Sequence, residues 1–238
     1  MAPNQYLLYD LPSKTPGFTW SPNPWKTRLL LNFKSLSFRT QWLEYPEIKP
    51  ELKNHIPPNP EGIAYSIPAI VCPDGTYMMD SRKIADYIEQ RHPQPALHLD
   101  SSYLAKVEDI WTRYMSAFCP IFIPQVPKRI LNDASLEFWY TTREEWFGMP
   151  LDRLEKEKGG EKAWGAVEVA IREATALLKE RDGPFFLGDT PSYADLVWAS
   201  ILLFCRRLGA DCFEEALKRS GDGQVHLDLL AAVESWSR

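Results

Sequence analysis

The chain has 238 residues with 45% hydrophobic, 25% charged and 13% aromatic side chains, the make-up of a folded, aromatic-rich globular protein and not of a disordered one. Its formal net charge of −5 supplies no electrostatic drive toward nucleic acid or an anionic membrane. No segment approaches the roughly 20 consecutive apolar residues of a spanning helix, and Met1-Ala2-Pro3-Asn4 does not read as a secretory leader.

Proline usage divides the chain. Fourteen of the 20 prolines fall within residues 1–95, and that part is nearly charge-neutral while the remainder is acidic. Proline is excluded from helix interiors and central strands, so the first part is expected to hold short elements and the second part to be helix-rich. Gln5–Asp10 reads as a buried strand. Pro24–Leu36 turns helical, with Trp25, Leu29, Phe33 and Leu36 at spacings of four, four and three. Lys26 and Arg28 on that helix read as surface charges. Phe38–Tyr45 alternates as a second strand, and Pro46–Pro60 gives no clear signal. Ala69–Cys72 and Thr76–Met79 flank the turn Pro73-Asp74-Gly75, the pattern of a hairpin. Asp80 or Ser81 then caps a helix that runs to about Arg91.

His92-Pro93-Gln94-Pro95 reads as a linker. Beyond it, Ser101–Leu131 is one long helical stretch that Pro120, Pro124 and Pro127 should bend or break. Ser135–Arg181 is another, its charged run Arg153–Lys162 a solvated face. Ser192-Tyr193-Ala194-Asp195 has capping-box spacing and opens an apolar helix that Gly209 ends, so a buried central helix is expected. Cys72, Cys119, Cys205 and Cys212 form no paired motif and are read as free thiols of a reducing, cytoplasmic compartment. His55, His92, His98 and His226 show no metal-ligand spacing, and Gly221-Asp222-Gly223 followed by His226 lacks the third glycine of a dinucleotide fingerprint.

Four segments carry a family resemblance: Ser21-Pro22-Asn23-Pro24-Trp25-Lys26-Thr27-Arg28, Ile67-Pro68-Ala69-Ile70, Asp80-Ser81, and Phe186-Leu187-Gly188-Asp189 followed by the Ser192–Asp195 box. Together they resemble the cytosolic glutathione transferase superfamily. The first is similar to the serine-type motifs of the fungal etherase-related class and the bacterial β-aryl etherases. It departs from the related zeta motif, since Pro22 and Asn23 replace a serine–cysteine pair, and no cysteine stands in the first turn as in omega-like members.

The resemblance implies a thioredoxin-like α/β domain over residues 1–92, a linker over 93–98 and an all-helical domain over 99–238. It implies glutathione as co-substrate, a homodimer, and neither metal nor nucleotide. Ser21 would donate to the glutathione sulfur with Asn23 as a second contributor, and Trp25, Ile67, Pro68, Asp80 and Ser81 would hold the tripeptide, with the bond before Pro68 cis. Phe18, Trp20, Trp111, Tyr114, Met115 and Phe118 would line an apolar electrophile site. At this stage conjugation, β-aryl-ether cleavage, glutathione-dependent isomerisation, natural-product tailoring and non-catalytic binding of glutathione or apolar ligands all stay open.

Overall fold

A computed structural model describes residues 5–238. The first half is built on a four-stranded sheet of order β2-β1-β3-β4. Its strands are β1 (Tyr6–Asp10), β2 (Phe38–Trp42), β3 (Ala69–Val71) and β4 (Tyr77–Met79). All of β1 is buried because it is an inner strand, paired parallel to β2 and antiparallel to β3. Three helices accompany the sheet: α1 (Pro22–Phe33), α2 (Tyr45–Leu52) and α3 (Ser81–Arg91). The order β-α-β-α-β-β-α is the thioredoxin-like arrangement.

The second half is helical: α4 (Ser102–Arg129), α5 (Asp133–Phe147), α6 (Leu151–Lys158), α7 (Gly160–Leu178), α8 (Tyr193–Leu208), α9 (Ala210–Arg219) and α10 (Gly223–Ala232), closed by a 3-10 turn at Glu234–Trp236. Helix α8 is the central one, buried continuously from Ser192 to Cys205 and packed on both α1 and α4. Its start is fixed by Asp195, whose carboxylate accepts from Ser192 N–H and the Ser192 hydroxyl, each at 2.7 Å, and from Phe186 N–H at 2.8 Å.

Four expectations need correction. The stretch Ser135–Arg181 holds three helices and not one, α5, α6 and α7, parted at Gly148–Pro150 and at Gly159. Helix α1 starts at Pro22 and not Pro24, since a proline loses nothing at a first-turn position. The unreadable segment after Pro46 contains α2, opened by a reciprocal bond in which the Glu44 amide donates to Glu47 Oε2 at 2.8 Å. Finally, α4 is not divided: it runs for 28 residues through Pro120, Pro124 and Pro127. The carbonyl that Pro127 leaves without an intrahelical donor, that of Ile123, accepts instead from the Trp139 indole N–H at 3.0 Å.

The crossing from α3 to α4 is held by Lys34, which is buried and donates to the carbonyls of His92 at 2.6 Å and Pro95 at 2.5 Å and pairs with Glu89. All four cysteines are free. Among the described residues no helix is long and apolar enough to cross a membrane.

Candidate active site

The site begins where β1 ends. Asp10, the last residue of β1, is completely buried and accepts from the Leu11 amide at 2.7 Å, the Thr19 hydroxyl at 2.5 Å and Arg28 Nη2 at 3.0 Å. Burial raises its pKa and Arg28 opposes that rise. The same guanidinium nitrogen donates to Thr40 Oγ1 on β2 at 2.9 Å. One carboxylate therefore fixes the end of β1, the loop before α1 and a point in the second turn of α1. Arg28 is an internal strut, which corrects its reading as a surface charge.

The turn into α1 is unusual in its donors. Of Pro22, Asn23 and Pro24, only Asn23 has a backbone N–H. Ser21 sits at the N-cap with extended backbone (φ −72°, ψ 139°) and its carbonyl accepts from the Trp25 amide at 3.2 Å, but its side chain makes no cap bond. The amide a serine cap often bonds is replaced here by Pro24, so the Ser21 hydroxyl stays uncommitted.

Asn23 and Lys26 form a pair one turn apart. Lys26 Nζ donates to Asn23 Oδ1 at 3.1 Å and lies 3.5 Å from the centre of the Trp111 ring on α4. With Oδ1 occupied, the Asn23 amide nitrogen is the end left to donate. Lys26 is buried, contrary to its reading as a surface charge; burial brings its pKa down to about 7, against the opposing pull of Glu108 and Asp80. The signal for this burial was the run Leu29-Leu30-Leu31, since three consecutive apolar residues mean a helix covered on more than one side.

Across from α1 the Ile67–Pro68 bond is cis, as the resemblance implied. Asp80 adopts φ 83° and caps α3 through Oδ1, which accepts from the Arg82 amide at 2.9 Å. Tyr193 on α8 donates to the Ser81 carbonyl at 3.1 Å, tying the start of α3 to the central helix. Arg82 reaches Glu108 on α4 at 3.1 Å. These pieces enclose a cavity of about 410 Å³ whose walls include Asn23, Lys26, the Ile67–Pro68 turn, Asp80, Ser81 and Trp111.

Two family models match the chain. The model described as glutathione S-transferase, N-terminal domain, covers residues 20–91, and that described as glutathione S-transferase, C-terminal domain, covers residues 105–236. The chain belongs to the glutathione S-transferase family. Among its relatives, the glutathione S-transferase-like protein ustS of Aspergillus flavus is 28% identical, with 95% of this chain and 89% of the relative aligned. A glutathione S-transferase of Ceriporiopsis subvermispora solved in complex with glutathione is 32% identical, with a TM-score of 0.85 over 98% of both chains. A glutathione transferase of Phanerochaete chrysosporium is 25% identical, with a TM-score of 0.86 over 98% of both chains.

Within this glutathione transferase the expected site residues separate into groups. Asn23, Ile67, Pro68, Asp80, Ser81 and Trp111 face the one cavity. Ser21, two residues before Asn23, is not among the lining residues. Trp20 and Trp25 are packed into the core; Trp20 lies edge-on to Trp139 and tilted against Phe204. Tyr114 and Phe118 are completely buried and do not reach the cavity. Helix α8 covers that part of α4: Trp198 meets Tyr114 and Phe204 meets Phe118, both edge-on. Met115 is half-buried, and Phe18 is exposed beneath the Arg207 guanidinium, 4.5 Å from its ring centre. The aromatic stripe of α4 thus contributes Trp111 to the cavity and its later members to the core.

Proposed function

We propose that this family member is a glutathione-dependent transferase that ionises the glutathione thiol at the start of α1 and directs it at an apolar, aromatic electrophile. The observation that carries the reading is the cavity itself, where the N-terminal turn of α1, the Ile67–Pro68 turn and the N-terminus of α3 converge on one side of α4. Its volume lies in the range of small-molecule sites. The solved relative from Ceriporiopsis subvermispora holds glutathione.

A thiol of pKa about 8.5 is mostly protonated at neutral pH, and lowering that value by about two pH units takes roughly 2.7 kcal/mol of preferential thiolate stabilisation. A helix N-terminus with a side-chain donor supplies stabilisation of that order. In this reading Asn23 is the donor that points at sulfur and the Ser21 hydroxyl is the second. The backbone at Ile67 pairs with the cysteinyl unit in the manner of an added strand. The α3 amides and Ser81 take the γ-glutamyl carboxylate, and the free Oδ2 of Asp80 takes its ammonium. The thiolate then forms a carbon–sulfur bond as the leaving group departs with its electron pair. Trp111 offers apolar surface within the cavity, and Met115 and Phe18 are assigned to the electrophile side in this reading. The reading takes residues 1–92 as the glutathione-binding unit, 99–238 as the helical unit, and a cytosolic homodimer as the working form.

The test combines calorimetric titration with glutathione and turnover of an aryl halide and a β-aryl ether. Saturable binding with turnover of at least one substrate, both weakened in Asn23→Ala, is the expected result. Binding without turnover would leave a glutathione-binding protein, and no binding would remove the proposal altogether.

A further inference from the structure

The ammonium of Lys26 is buried with part of its bonding capacity unused. It carries three donors when protonated. The Asn23 side-chain oxygen, at 3.1 Å, and the face of Trp111 account for two. No salt bridge joins Lys26 among the described residues, although two carboxylates share its cavity. Both are engaged: Glu108 on α4 pairs with Arg82 at 3.1 Å, and Asp80 caps α3 at the Arg82 amide. Asp80, Arg82 and Glu108 are the charged groups that face Lys26 across the cavity, and the Arg82–Glu108 pair is close to self-neutralising.

A buried charge without a carboxylate partner costs stability. At this position it stands one helical turn from the residue assigned to donate to sulfur. Burial also leaves the amine free of its proton for much of the time near neutral pH, because its pKa is brought down to about 7.

Resting on the proposed function, we infer that Lys26 is the proton partner of the bound glutathione thiol. The S–H bond breaks with its electron pair left on sulfur, and the proton forms a new N–H bond with the Nζ lone pair. The thiolate is then held by Asn23 and faces the ammonium it created. Trp111 and Asn23 Oδ1 keep that ammonium in place. The group that takes the proton is therefore the one that orients the sulfur donor, and no oxidant or reductant is involved.

The experiment compares the full-length wild type, Lys26→Met and Lys26→Arg. Thiolate absorbance of bound glutathione is followed against pH, with S-methylglutathione as the ligand that lacks an ionisable thiol. Calorimetry slightly above neutral pH, in buffers of different ionisation enthalpy, counts the protons released on binding. In Lys26→Met the ionisation midpoint should rise by at least about one pH unit, the effect of removing an opposite charge at close range, while S-methylglutathione binds as before. Arginine supplies charge but cannot accept a proton, so Lys26→Arg should keep a midpoint near that of the wild type and release to the buffer protons that the wild type retains.

An unchanged midpoint in Lys26→Met, or equal proton release by Lys26→Arg and wild type, overturns the assignment. Equal weakening toward both ligands in Lys26→Met also overturns it, because Lys26 would then be pairing with a carboxylate of the tripeptide. If Lys26→Met fails to fold, the proton count with Lys26→Arg decides alone. Failure of the wild type to bind glutathione would overturn this inference together with the function proposed above, whereas binding with a silent Lys26 overturns only this one.

Discussion

Arg28, in the second turn of α1, reaches back to the carboxylate of Asp10 at 3.0 Å, and both are shielded from solvent. The pair ties the strand that centres the sheet to the helix that begins the site. Breaking a buried pair by removing one partner strands the other, at a cost of about 3–5 kcal/mol. Arg28→Met is expected to lower stability by that amount in chemical denaturation and to weaken glutathione binding. A loss under about 1 kcal/mol would show that the strut is dispensable.

The donors at the start of α1 are expected to contribute unequally. A hydrogen bond to a charged group is worth about 1.5–3 kcal/mol, so Asn23→Ala should lower kcat/KM by roughly 10- to 100-fold. Ser21→Ala should have the smaller effect, because Ser21 is not among the residues that line the cavity. Steady-state kinetics on the two variants gives the order directly, and the reverse order would reassign the donor to Ser21.

The capping box of α8 should be worth more at its acidic end. Ser192→Ala removes a cap and is expected to cost about 1 kcal/mol. Asp195→Ala orphans the buried amides of Phe186 and Ser192, each worth about 1–3 kcal/mol when left unpaired. Thermal and denaturant unfolding of both variants should rank Asp195→Ala as the more damaging change.

His226 is completely buried as a neutral ring. Its Nδ1 accepts from the Trp198 indole at 3.0 Å, so Nε2 carries the hydrogen and donates to Thr175 Oγ1 at 2.9 Å. Burial brings its pKa down to about 4 from the ordinary 6.5. The folded state therefore binds this proton less readily than the unfolded chain. Above the ordinary value His226 imposes no penalty; the penalty grows as the pH falls through this interval and is complete below about 4. Its full size is about 3 kcal/mol. Urea denaturation of wild type and His226→Gln, near pH 7 and near pH 4, should show the wild type losing more stability on acidification by up to that amount. Parallel losses in the two proteins would contradict a buried neutral histidine.

The sequence was most legible where a local rule met no competing tertiary demand. The Asp74-Gly75 turn, the Ser192–Asp195 box and the apolar run into Leu208 each contain their own signal, and each stands in the structure as read. Pro127 was misleading because the group that replaces its missing donor lies elsewhere in the chain, at Trp139, which donates to the Ile123 carbonyl. Tyr114 and Phe118 share a helical stripe with Trp111, and nothing in their spacing reveals that α8 covers two of the three. Lys26 was missed for a related reason: the ring that shelters its ammonium belongs to α4, far away in sequence. Periodicity identifies which face of a helix is covered, but the residue that covers it is decided by the packing of both halves.

The central claim, that the start of α1 ionises a glutathione thiol, is tested most directly by titrating the ultraviolet thiolate absorbance of glutathione bound to the wild-type protein. The expected midpoint lies about two pH units below the ~8.5 of a free cysteine thiol and moves back toward that value in Asn23→Ala. A bound thiol that ionises at the same pH as the free one would contradict it.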